Sequence, residues 1–215
     1  MTPLPREFYQ RPTVTVAREL LGCVLRSSRR RVQTEGRIVE TEAYLGPEDG
    51  ASHAATRAAA ARDRFYGNGG HAYVFRVYGI HLCLNAITGH RGEPGCVLIR
   101  AVEPTVGRDS MARRRGIAAT STELANGPGK LSEAFAISLA HDGADLTHGS
   151  LVIGAADAPR TFAVGVGPRI GISRAKTEPL RFWIMDNPHV SVSRRWASLL
   201  PIQPRATRTT NRVTP

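Results

Sequence analysis

Between Arg37 and Gly46 the chain alternates in steps of two. Ile38, Glu40, Glu42 and Tyr44 fall on one face of an extended strand, and Val39, Thr41 and Ala43 on the other, up to a break at Gly46-Pro47. Two further alternating runs surround Tyr78-Gly79 within His71–Asn85. They predict a β-hairpin with Tyr78 at its tip, Tyr73 and Phe75 facing one way, and His81 and Asn85 on the returning strand. Cys96–Val102 is a continuous apolar strand interrupted by Arg100 alone, while Cys23–Arg26, Leu151–Ile153 and Pro179–Ile184 read as shorter strands and Val190–Arg194 as a short segment. Helical spacing appears in Val16, Leu20 and Leu21 after Pro12-Thr13, with Gly22 suited to the C′ position, in Arg108–Arg115, and again from Pro128 to Ile137. Ser27–Arg31 reads as a turn, and Pro47–Gly70 as a loop holding an alanine-rich turn of helix at Ala58–Ala61. There is no internal repeat.

Composition changes this picture in three ways. A chain of 215 residues can bury one sizeable core, so a single domain over residues 1–200 is expected, with a disordered basic tail over 201–215, where Pro, Thr and Arg leave little to bury. Lys+Arg number 29 against 18 Asp+Glu, a net charge of +11, and the excess is nearly all arginine. That balance favours a polyanionic partner, although a surface made basic for solubility alone gives the same count. Cys23, Cys83 and Cys96 are odd in number and lack a CxxC pair, which argues against a disulfide framework or a cysteine-rich metal site and suits a reducing compartment. No apolar run approaches the roughly 18 residues of a membrane span, and Met1–Arg6 has no apolar signal core behind it. A soluble cytoplasmic protein is the expectation.

Several positions carry candidate chemistry. Glu40 and Glu42, two residues apart at about 3.3 Å each, would stand roughly 6.6 Å from one another, close enough for one carboxylate to perturb the other and to place a general base at a strand end. A half-exposed strand with two solvated glutamates fits the same letters. Arg100 must either reach solvent or be paired, because an unpaired buried guanidinium is too costly, and Glu40 or Glu42 is its natural partner. Tyr78 at an exposed tip of a basic protein would suit a wedge between base steps, or it would cap a core. Lys130, just inside a helix opened by Pro128, would add a cation where a phosphate can meet free backbone N–H groups, although an ordinary capped helix looks the same. Arg169-Ile170-Gly171-Ile172 suggests a close approach of backbone to another group.

Taken in order, Arg37–Tyr44 with His53 beyond it, Tyr73–Asn85, Cys96–Pro104, Gly127–Ile137, and Arg169–Ile172 with Pro179–Phe182 resemble the alkyladenine (3-methyladenine) DNA glycosylase family over roughly residues 5 to 195. The resemblance implies a mixed α/β (α+β) domain on a curved, mostly antiparallel sheet with flanking helices and a protruding, DNA-intercalating hairpin. It implies an enzyme of base-excision repair that flips an alkylated or deaminated purine out of double-stranded DNA and hydrolyses its N-glycosidic bond. Glu42 then matches the base that activates water, and Arg100 and the Ile170 carbonyl match the groups that hold that water. Tyr44, His53 and Phe75 match the walls of the base pocket, Asn85 a residue that screens guanine's amino group, and Tyr78 the residue that fills the gap in the stack. No cofactor and no metal are implied, the product is an abasic site, and a cytoplasmic monomer, nucleoid-associated if bacterial, is expected.

Two departures stand out. Phe75 occupies a position where the family usually has tyrosine, and Ala58-Ala59-Ala60-Ala61-Arg62-Asp63 replaces a Thr-Pro-Arg-Asn-like segment within the Arg57–Tyr66 loop. Three other readings compete. A damage-binding protein that has lost catalysis keeps the same wedge and basic surface. A helix-hairpin-helix glycosylase rests only on Gly127-Pro128-Gly129-Lys130. A small-molecule amidohydrolase or glycosidase using Glu40 and Glu42 leaves the +11 charge without a reason.

Overall fold

The computed structural model describes residues 1–56, 64–156 and 161–191. The readings of a helical turn at Ala58–Ala61, of Val190–Arg194 beyond Ser191, and of the basic tail lie outside the described residues.

The fold is built on β2 (Val32–Tyr44), the strand with the alternating glutamates. All of its partners are antiparallel. Strand β5 (Cys96–Val106) runs along one edge of β2, and the other edge is divided between β1 (Val24–Arg29) and β8 (Arg181–Ile184). Beyond β5 lies the pair β4 (His81–Ile87) and β3 (Ala72–Val77); beyond β1 lies β6 (Leu151–Gly154), and β7 (Val164–Gly167) pairs with β8. The eight strands form one sheet that curls into a half-barrel, flanked by few helices, so the mixed α+β expectation is met. No helix among the described residues is long and apolar enough to cross a membrane.

One sheet face carries the core. Helix α1 (Arg6–Tyr9) precedes α2 (Thr13–Leu20), which lays Val16, Ala17 and Leu20 on the sheet, while Thr41 donates its hydroxyl to the Ala17 carbonyl at 2.8 Å. Gly22, at φ 84°, ends that helix as its position required. Val39, Ala43, Ile99 and Ala101 complete the face, all fully buried. Helix α3 (His53–Thr56) interrupts a stretch that reads as loop, and α4 (Arg108–Arg115) and α5 (Pro128–Ala134) follow β5.

Three departures from the sequence reading shape the sheet. β1 continues through Ser27–Arg29, because Ser27 is buried between Thr34 of β2 and Leu151 of β6; the turn is only Arg30-Arg31. β7 was not foreseen: its glycines carry no periodic signal, and Gly165 is needed because a Cβ there would lie 2.2 Å from the Trp183 ring. The third difference is in register. Val39 has no partner on β5 and Arg100 has none on β2, so one bulge in each strand separates the two glutamates in function.

Both glutamates are fully buried, which rules out the solvated strand. Glu40 accepts from Arg181 Nη1 at 2.9 Å and from the Ser191 backbone N–H at 2.7 Å, and lies 3.4 Å from Arg100 Nε. It thereby anchors β8 and the segment after it to β2. Removing one partner from such a buried ionic set leaves an uncompensated charge. Glu40→Ala is therefore expected to lower unfolding free energy by about 3–5 kcal/mol in urea titrations. A loss under about 1 kcal/mol would mean that the carboxylate is dispensable to the fold.

Candidate active site

The opposite face of the same strands builds the site. Because directly paired residues share a face, the register Glu42↔Leu98↔Asn85↔Tyr73 and Tyr44↔Cys96 sets Glu42, Tyr44, Leu98, Asn85 and Tyr73 on one surface, joined by Phe75 opposite Cys83. Here β2, β5, β4 and β3 line a cavity of about 270 Å³, closed by His53 and Phe65 on one side and by Pro128 and Ile170–Ile172 on others. A mainly apolar hollow with a few converging polar groups is the usual form of a small-ligand site.

Its walls are aromatic. The rings of Tyr73 and Phe75 stack at 5.1 Å with 29° between planes, and His53 meets Phe75 edge-on at 4.4 Å. His53 Nδ1 lies 3.1 Å from the Tyr73 hydroxyl, which fixes the imidazole against the wall. The Asn85 side chain is held too: its Nδ2 donates to the Tyr73 carbonyl at 3.0 Å, and its Oδ1 faces the Cys96 thiol at 3.8 Å. Burial pushes the Cys83 thiol up to about 11, so it stands in the wall as a neutral group.

The floor is ionic. Glu42 Oε1 accepts from the Ile170 backbone N–H at 2.7 Å, while Oε2 accepts from the Tyr44 hydroxyl at 2.8 Å and from Arg100 Nη1 at 3.3 Å. Arg100 Nη1 also approaches the Ile170 carbonyl at 3.5 Å. Glu42, Arg100 and the Ile170 backbone therefore meet at one point. Burial raises the Glu42 carboxyl above the ordinary glutamate value, more than Arg100, the Ile170 N–H and the Tyr44 hydroxyl lower it. For Arg100 burial works in the lowering direction, and the Glu42 and Glu40 charges outweigh it, so the guanidinium stays protonated.

Sequence reasoning missed the group that holds Ile170 in place. Arg169 is fully buried in its side chain and makes paired hydrogen bonds to Asp49, 2.5 Å to Oδ2 and 2.8 Å to Oδ1, with a third at 3.0 Å to the Ala43 carbonyl. Its guanidinium lies 4.7 Å from the centre of the Tyr44 ring. Asp49 in turn accepts from the Leu45 and Ala51 N–H groups, an Asx turn; burial alone would raise its carboxyl, but Arg169 and these N–H groups hold it below the ordinary range. The Gly46-Pro47-Glu48-Asp49 turn was the available signal for Asp49, but nothing local pairs it with a residue 120 positions away.

Tyr78 borders the cavity, whereas Lys130 stands outside it. Tyr78 is 82% exposed at the hairpin tip, where the Ile80 N–H donates to the Val77 carbonyl at 3.2 Å and both Tyr78 (φ 52°) and Gly79 (φ 74°) are left-handed. Lys130 Nζ donates to Asn126 Oδ1 at 2.9 Å and Glu123 Oε2 at 3.2 Å, on a helix of only seven residues.

Comparison with known proteins identifies the family. The model of the methylpurine-DNA glycosylase family matches residues 7–188. The chain belongs to the methylpurine-DNA glycosylase family. It is 45% identical over 192 residues to a protein of Methanoculleus marisnigri, covering 87% of this chain and 98% of that one. It is 43% identical to one of Methanocella arvoryzae (91% and 98% covered) and 40% identical to one of Chlorobium phaeobacteroides (90% and 99% covered). All three bear the name "Putative 3-methyladenine DNA glycosylase". Membership places the chain among the DNA glycosylases of base-excision repair. In this glycosylase the Asp49–Arg169 pair is expected to show strong coupling. Asp49→Ala alone should cost about 3–5 kcal/mol by leaving a buried guanidinium unpaired. Adding Arg169→Leu should recover at least about 1 kcal/mol of that, measured as a double-mutant cycle in urea; simple additivity would contradict the pairing.

Proposed function

We propose that this glycosylase excises damaged purines from duplex DNA by a water that Glu42 deprotonates. The observation that carries the reading is the fully buried Glu42 carboxylate, held by Tyr44, Arg100 and the Ile170 backbone, three groups that line an aromatic cavity with Glu42 directly behind them. A base inside a duplex is out of reach of any water, so extrusion comes first. The flipped purine lies between Tyr44 and the His53–Phe75 wall, where π-stacking contributes about 1–3 kcal/mol per base and tolerates different purines. Asn85 at the same wall discriminates against guanine's exocyclic amino group. As the bond from C1′ to the base nitrogen breaks, its electron pair leaves with the base and positive charge grows on the sugar. Water adds to C1′, its proton passes to Glu42, and the Glu42 charge faces the developing cation. The product is an abasic site, as expected of a monofunctional hydrolase.

The hairpin tip supports extrusion. A left-handed tyrosine costs on the order of 1 kcal/mol relative to the asparagine or glycine that such a turn favours. An exposed aromatic kept in a strained position is suited to work outside the fold, as a wedge in the gap left by the base.

Single-turnover excision on duplexes carrying one hypoxanthine, one ethenoadenine or methylated purines tests the proposal. Glu42→Gln is expected to slow base release by about 10²–10⁴-fold with lesion binding retained. Release unchanged in that variant removes Glu42 from the role of base, and tight binding without release by either protein identifies a damage-binding protein. Tyr78→Gly is expected to slow excision while leaving thermal stability equal or slightly higher. A fall in stability instead places Tyr78 in the core.

A further inference from the structure

The sheet carries a second arginine-rich feature that the pocket does not use. Arg29, Arg30 and Arg31 are exposed at the β1–β2 turn, and both Arg30 (φ 48°) and Arg31 (φ 66°) are left-handed. A two-residue turn of this kind favours Asn-Gly, so two arginines there are disfavoured by backbone and by mutual repulsion alike. Helix α4 adds more charge. Arg113 is exposed on it, and the Arg114 guanidinium is held below its ordinary pKa by burial and then by the charges of Arg29 and Arg113, which places these groups within reach of one another. Of the carboxylates, Glu35 is engaged by Arg26 and Gln33 and Glu133 by Arg115, while Asp109 stands exposed one turn before Arg113 on the same helix.

Register relates this patch to the lesion pocket. β2 and β4 are both antiparallel to β5, so they run the same way, and the turns that precede them project from the same edge of the sheet. One of those turns carries Tyr78 and the other Arg30-Arg31. From the pairing of Asn85 with Leu98 and of Leu98 with Glu42, the hairpin base at His81 lies level with Ile38, six residues short of Val32. At about 3.3 Å per residue, the arginine turn extends roughly 20 Å beyond the hairpin base.

We propose that Arg29, Arg30, Arg31 and Arg113 form a second contact with duplex DNA, gripping backbone phosphates away from the nucleotide held at Tyr78. The occupant is the same duplex that enters the pocket. The contact reads no sequence and contributes to binding and search, not to bond cleavage. It rests on the DNA-glycosylase reading, but its test on undamaged duplex is independent of excision.

Replacing Arg30→Asn together with Arg31→Gly removes two charges and installs the favoured turn, so the fold is retained; Arg113→Gln removes a third from an exposed helix position. Binding to an undamaged 30-base-pair duplex and to single-stranded RNA of the same length is measured across a salt series. On the 30-base-pair duplex the double variant is expected to bind about tenfold or more weakly near 0.1 M salt, with the slope of log K against log salt shallower by about 1.8. Excision at saturating enzyme should be unchanged. Equal affinity and slope on the duplex overturn the proposal. Weakened binding to single-stranded RNA with duplex affinity intact assigns the patch to another polyanion and overturns it as well.

Discussion

The structure depends on placing ionised groups where water is excluded. Glu40 and Glu42 on β2 face Arg100 on β5 and Arg181 on β8, two carboxylates against two guanidiniums, all buried or nearly so. Such a set is tolerated only when the partners are complete, because a single unpaired charge costs several kcal/mol. The paired bulges at Val39 and Arg100 complete it. They let one strand present Glu40 to the framework and Glu42 to the cavity, so the residue that holds β8 in place and the residue proposed to carry chemistry share the guanidinium of Arg100.

The rest of the site follows from that arrangement. Arg169 and Asp49 bring the Ile170 backbone against Glu42 and lay a cation against the Tyr44 ring, whose hydroxyl returns to Glu42. The floor is therefore fixed from three separate parts of the chain before any ligand enters. Preorganisation of this kind lets a buried carboxylate act without rearrangement when charge develops beside it. The tip of the β3–β4 hairpin is the opposite case: Tyr78 has few contacts, an exposed ring and a strained backbone, and is suited to a partner outside the molecule.

Much of this was legible in the sequence, for definite reasons. Period-two alternation placed Glu42 and Tyr44 on one face, and a lone arginine in the apolar run Cys96–Val102 demanded a carboxylate partner, which both Glu40 and Glu42 supply. The hairpin announced itself through its two runs about Tyr78-Gly79. What was hidden is non-local. No spacing rule joins Asp49 to Arg169, and the division of labour between Glu40 and Glu42 comes from bulges that alternation alone cannot reveal. β7 was hidden because its two glycines pack under Trp183 without any periodic apolar pattern. At the departure position Phe75 stacks on Tyr73, whose hydroxyl lies beside His53.

The central claim is that Glu42 acts as a base whose proton affinity is set by burial against the pull of Arg100. The most direct measurement is the pH dependence of single-turnover excision on a duplex carrying 7-methylguanine, whose cationic base leaves without needing a proton. A raised carboxyl keeps its proton to higher pH, and only the ionised form accepts one from water. The rate should therefore rise with pH through a midpoint above the usual glutamate value of about 4.3. In Arg100→Gln, which removes the strongest influence holding that value down, the midpoint should move further up. A midpoint at or below the ordinary range, or one indifferent to Arg100, would contradict the account.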